Sequence, residues 1–161
     1  MPYLAGSSTK GRFRHAVLRL LLAHGEKACQ HGDHLAVCKE EPYCALCQLF
    51  GSSYRQGGLI FTDACLEGTA RRIWEEIVAA GGSASPDAAV RSAVAMDRAL
   101  RTVRPQLLFT TEALPAGLTF SGRIIGEAGD KESWLRDACK VLTHFGADGA
   151  RGLGRCEYRL T

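Results

Sequence analysis

Between Cys29 and Gly51 the chain reads CQHGDHLAVCKEEPYCALCQLFG, and this window constrains the fold more than any other. It holds four of the seven cysteines and two histidines in one short stretch. A core does not need so many soft donors side by side. Cys44 and Cys47 form a C-x2-C pair, whose turn lets two thiolates meet one ion. Cys38 stands just upstream, and Cys29 before it. Four such ligands suit a tetrahedral zinc with sulfur at about 2.3 Å. The expected site is a structural Zn(2+) held by Cys29, Cys38, Cys44 and Cys47, with His31 or His34 as substitutes for Cys29. The expected zinc-binding insertion spans 29–51.

Two other readings of the cysteines compete. A redox dithiol normally opens a helix after a strand, and here a Pro-Tyr turn precedes the pair. A disulfide framework fits poorly with an odd total and with the lack of a secretory signal ahead of the cluster. Cys65, Cys139 and Cys156 stand among apolar residues and read as small core residues.

The 161 residues suit one domain, 1–161, and an apolar fraction of 46% suffices for a core. No apolar run approaches the ~18 residues of a membrane span, so a cytoplasmic protein without a membrane partner is expected. A net charge of +3 is too small to identify a nucleic-acid ligand by itself.

Along the chain, 1–5 reads as an extended lead-in. Gly6-Ser7-Ser8-Thr9-Lys10-Gly11 reads as a loop whose hydroxyls cap a helix running to about His24. Phe13, Val17, Leu20, Leu21 and His24 recur at helical spacing and give it one buried face. Loop amides, the helix dipole, Lys10, Arg12 and Arg14 would make an anion site there. An ordinary capped helix with solvated arginines fits the same residues equally well. Strands are expected at 59–64, 107–114, 118–125 and 156–160. Helices are expected at 69–80, with Trp74 in the core, and at 130–145, capped by Asp130. Residues 90–106 carry Arg91, Arg98, Arg101 and Arg104 and read as a hairpin or extended arm that tracks phosphates, or as a solvated loop. Four glycines and two arginines lie between Gly146 and Arg155, where backbone can lie against a charged surface. The order predicts an α+β, ferredoxin-like or RRM-like (βαββαβ) domain lacking its first strand, with a zinc-binding insertion and a thumb-like arm.

These segments carry a resemblance. Gly6-Ser7-Ser8-x-Lys10-Gly11-x-x-Arg14 resembles the GSSxKGxxR signature of the CRISPR-associated RAMP superfamily. Cys44-x-x-Cys47-x-Leu49-Phe50-Gly51-Ser52 looks like its CxxCxLFGS segment. Gly58 to Ala64 resembles the strand that follows, and Met96-Asp97-Arg98 resembles the IDR that begins the family's thumb hairpin. Gly149-Ala150-Arg151-Gly152-Leu153-Gly154 is similar to its C-terminal glycine-rich loop.

The resemblance implies a backbone subunit of a type III or type III-derived effector complex. Such subunits polymerise as copies along a guide RNA, present complementary target RNA, and work with other subunits, among them a separate nuclease, in a prokaryotic cytoplasm. Implied RNA contacts are Ser7, Ser8, Lys10, Arg12 and Arg14 at the helix start. Met96, Arg98, Arg101 and Arg104 join them on the thumb, and Gly149, Arg151, Gly152 and Gly154 in the loop. Contacts of this kind position RNA without reading its sequence. Cleaving relatives carry an aspartate in a loop after a first strand, ahead of GSSxKG. That loop is not read here, so no catalytic residue is assigned. The alternatives are a target-cleaving backbone subunit, a metal-independent guide-processing endonuclease using a histidine such as His15, and an unrelated zinc-stapled RNA-binding module.

Overall fold

A computed structural model describes residues 1–29, 38–82 and 89–161. His31 and His34 lie outside them. The architecture is mixed α+β. The chain divides into two compact units, one of residues 2–65 with 120–161, the other of 66–119 with Met1.

The larger unit is built around α1 (Gly6–Ala23). Phe13, Val17 and Leu21 are buried as expected and Ala16 joins them, whereas Leu20 is half-buried and His24, expected on the same face, is exposed at the helix end. The buried residues meet Leu46, Leu49 and Phe50 of α2 (Ala45–Phe50), Leu59 of β2 (Leu59–Phe61), and Leu135 and Ala138 of α4 (Glu132–Val141). Each such side chain contributes about 1.5–3 kcal/mol when fully buried. Phe13 packs on Phe61 at 5.5 Å and edge-on against Tyr158 at 5.6 Å. Cys139 and Cys156 are half-buried, but Cys65 is exposed, contrary to the core role expected of it.

The N-terminal lead-in forms a two-residue strand, β1 (Tyr3–Leu4), antiparallel to β3 (Ala64–Leu66). β3 also bonds β6 (Phe120–Ser121), while β2 bonds β7 (Ile124–Gly126). The single strand expected over 118–125 is thus two short strands. Between them Thr62 N–H donates to the Arg123 carbonyl at 2.9 Å, and Arg123 N–H donates to Thr62 Oγ1 at 2.8 Å. These bonds turn the ladder through a bend and leave Asp63 at its corner.

Three other expectations are corrected. The Gly6–Gly11 segment is not a capping loop: it forms the first turns of α1, with Ala5 as N-cap and no side-chain cap. α4 starts after a 3-10 turn over Gly129–Lys131 and ends at Val141 instead of reaching Phe145. Asp130 caps nothing and pairs with Lys131. The helix stops because the next backbone groups have partners elsewhere. Phe145 N–H donates to the Gly154 carbonyl at 2.7 Å, and Cys156 N–H to the Thr143 carbonyl at 2.9 Å. A bridge between His144 and Arg155 is all that forms of the expected last strand.

In the smaller unit α3 (Gly68–Ala79) buries Trp74. β4 (Ala89–Asp97) and β5 (Thr102–Ala113) form a long antiparallel hairpin with a bulge between Val94 and Met96. The strand expected at 107–114 is the return leg of this hairpin. Asp97 Oδ1 accepts from the N–H groups of Ala99 and Leu100 and so forms the turn.

Candidate functional site

Cys29, Cys38, Cys44 and Cys47 converge, with their sulfurs all within 4.8 Å of one another. Cys29 comes from the segment after α1, Cys44 is the N-cap of α2, and Cys47 sits in its first turn. Cys29 Sγ is 3.2 Å from Cys38 Sγ and 3.7 Å from Cys44 Sγ. Sulfurs at the corners of a tetrahedron about 2.3 Å from a central zinc would be about 3.8 Å apart, so the cluster has the right size. The Cys38 N–H points at Cys29 Sγ at 3.1 Å and the Cys44 N–H at Cys38 Sγ at 3.5 Å. Amides aimed at sulfur stabilise thiolates and fix their orientation. Cys29 and Cys47 are buried, while Cys38 and Cys44 are half-buried.

The thiols are not equivalent. Burial is the largest influence on Cys44 and opposes its ionisation. Hydrogen bonds from the backbone and side chains of Cys47 and Cys29 outweigh it and bring Cys44 down to about 7. Burial pushes Cys47 well above the usual thiol range, reinforced by hydrogen bonding to Cys29 and Cys44. Burial likewise raises Cys29, helped by its contact with the Cys38 thiol. Without a cation Cys44 ionises readily while Cys29 and Cys47 resist it, and a divalent ion is what would stabilise the thiolates of such a donor set.

The cations expected to meet phosphate at the start of α1 each also hold a backbone carbonyl. Lys10 Nζ donates to the Leu59 carbonyl at 3.2 Å, Arg12 to the Gly146 carbonyl at 3.0 Å, and Arg14 to the Gly51 carbonyl. Arg12 also lies 5.7 Å above the Phe145 ring. One helix thus ties down β2, the glycine-rich loop and the end of α2. The helix start already holds an anion: Gly6 N–H donates to Asp63 Oδ1 at 2.7 Å. A Cβ at Gly6 would lie 2.2 Å from the Phe61 carbonyl oxygen, so only glycine allows this approach. Ser7 and Ser8 point into solvent.

The glycine-rich loop contains a 3-10 turn over Gly149–Arg151. Arg151 is paired with Asp148 at 3.1 Å, which cancels much of its charge. Gly152 and Gly154 take positive φ of 82° and 68°. On the hairpin, Arg104 lies 3.6 Å from Asp97, whereas Arg98 and Arg101 are exposed at the turn. Leu100 between them is 72% exposed, and Met96, Val103 and Leu108 are exposed nearby. The sequence singles out Met96 and the basic residues here, but not Leu100, Val103 and Leu108. Asp63 lies within the strand expected at 59–64 and carries no signal of its own. Its partner lies 57 residues away, so no local pattern could have signalled the bond.

Among the described residues no helix is long and apolar enough to cross a membrane. No curated protein matches the sequence. A family model described as the RAMP superfamily matches residues 1–157, nearly the whole length, and on that match the chain belongs to the RAMP superfamily.

Proposed function

We propose that this chain is a guide-RNA-binding backbone subunit of a CRISPR effector complex of type III or type III-derived kind. Copies assemble along the guide and present complementary target RNA to a separate nuclease. Membership of the RAMP superfamily supports an RNA-binding role within a complex. The observation that carries the finer reading is the β4–β5 hairpin, an exposed arm whose tip combines Leu100 and Met96 with Arg98 and Arg101. Apolar wedges flanked by cations part stacked bases while holding the neighbouring phosphates. Specificity would come from base pairing with the guide, and the protein would hold the backbone.

The four cysteines would hold a structural zinc. With four protein ligands the ion has no open position for water, so it would staple α2 beside α1 and supply folding energy. A non-cleaving role is supported by the aspartates. Every described aspartate has a structural partner: Gly6 for Asp63, the hairpin turn and Arg104 for Asp97, Lys131 for Asp130, Lys140 for Asp137 and Arg151 for Asp148. Each of these carboxylates thus has a partner that accounts for its position without a catalytic role.

Purification of the chain expressed with its guide RNA tests this. A backbone subunit emerges as several copies on one RNA, and its binding tolerates any guide sequence. Matched target RNA in magnesium stays intact without an added nuclease. Regular cuts that vanish on replacing one aspartate of this chain would refute the non-cleaving role. A chain that emerges as a single copy free of RNA would refute the backbone reading.

A further inference from the structure

We propose that the groove between the C-terminal half of α1 and the segment after α4 binds one phosphodiester of single-stranded RNA. The proposal rests on the RNA-binding reading above and assigns it a contact surface of which the sequence motifs contain only Arg12. The groove has a volume of about 340 Å³. Arg12, His15 and Arg19 line one wall, at the three- and four-residue spacing that puts them on one face of α1. Thr143 and His144 line the other, above an apolar floor that includes Leu20 and Leu142. No carboxylate lines it.

The walls are fixed before any ligand arrives. Thr143 Oγ1 and His144 Nδ1 share a hydrogen bond of 2.9 Å, and the backbone there is pinned to Cys156 and Arg155. Arg12 is anchored by the Gly146 carbonyl and the Phe145 ring. Arg19 and His15 differ from the motif cations in having no hydrogen bond or ion pair among the described residues. All of their donors are available to a ligand, whereas Lys10 and Arg14 each give one to a backbone carbonyl.

The carbonyl end of α4 contributes roughly −0.5 charge, and two guanidiniums exceed it fourfold. A guanidinium fork matches two phosphate oxygens, and an imidazole beside an apolar floor suits a base face. The volume lies at the small end of the ~300–1,000 Å³ range of ligand sites, which fits one nucleotide and excludes a duplex.

The test uses the full chain and a short fluorescein-labelled oligouridylate, with anisotropy followed across a potassium chloride series. Arg19→Ala weakens binding roughly five- to tenfold and lowers the log–log salt slope by about 0.7, the value for one phosphate on a single strand. Arg19→Lys keeps the slope. Ala23→Trp, which fills the groove without changing charge, weakens binding while melting like the parent. Wild-type protein that binds while Arg19→Ala and Ala23→Trp match it in affinity and slope overturns the groove and leaves the RNA-binding reading intact. Wild-type protein that does not bind overturns both.

Discussion

If the four-cysteine cluster holds the proposed zinc, removing the ion should unfold α2 from α1. The helix has six residues, well below the ~12–15 that an isolated helix needs to persist in water. It holds its place through the cysteine cluster and through Leu46, Leu49 and Phe50, exposed by 0%, 1% and 5%. At ~1.5–3 kcal/mol per buried side chain the three contribute about 4.5–9 kcal/mol. A compact unfolded state retains roughly 10–40% of that burial, so from the lower end a loss of about 3–4 kcal/mol is expected on chelation. For a chain of this length each kcal/mol moves Tm by about 2–4 °C, which sets a fall of about 10 °C. Zinc should be measured by elemental analysis, and melting should be followed with and without a strong zinc chelator under reducing conditions. Cys47→Ser should melt near the chelated wild type, and chelator should lower it no further. Well under one zinc per chain, or parent and Cys47→Ser melting together with and without chelator, would refute the reasoning.

Three further outcomes follow from the geometry. Asp63→Ala removes the carboxylate from the Gly6 N–H; because the side chain is exposed, the loss should be modest, about 1 kcal/mol by urea unfolding, and Asp63→Asn should restore part of it. Gly154→Ala places a Cβ 1.9 Å from the Phe145 carbonyl oxygen at a φ of 68°, so it should break the 143–156 pairing and lower Tm by far more than the same change at Gly117, whose Cβ meets nothing. In metal-free protein, Cys44 should alkylate with a midpoint near pH 7 and Cys47 only in strong base. The sign follows from the thiolate being the nucleophile: Cys44, depressed from 9.0 to about 7, is charged above that pH, and any stability from the charge is lost as pH falls through it. Bound zinc should silence both, and mass spectrometry of the alkylated peptides reads the difference.

Interactions between near neighbours in the sequence were the legible ones. The cysteine window could be read because its ligands sit within nineteen positions of one another, counting from Cys29 to Cys47. The buried stripe of α1 and the arm with its arginines were legible for the same reason, since helical and strand periodicities act over a few residues. What escaped was settled by backbone groups far apart. The end of α4 depends on Thr143 and Phe145 meeting Cys156 and Gly154, and its apolar spacing alone favours continuing the helix. The division of 118–125 into β6 and β7 depends on Thr62 reaching Arg123. For the candidate site, charge was visible in the sequence and availability was not. The carbonyl partners of Lys10, Arg12 and Arg14 are set by the fold, and His144 joins His15 and Arg19 only through it.

The clamping of three distant segments by Lys10, Arg12 and Arg14 changes what their motif means as a signature. Lys10 and Arg14, the two cations of the pattern GSSxKGxxR, each satisfy a backbone carbonyl, as does Arg12 between them, so these positions would be favoured in any chain that folds in this way, whether or not it ever meets RNA. A descendant that had lost its ligand would keep the motif and could still be recognised by it. The converse also holds: function in such a lineage could drift through exposed positions such as Arg19, Arg98 and Leu100 while the recognisable frame stayed constant. Shared motif residues in relatives would then report a common architecture, and a common ligand would have to be sought on the open faces around it.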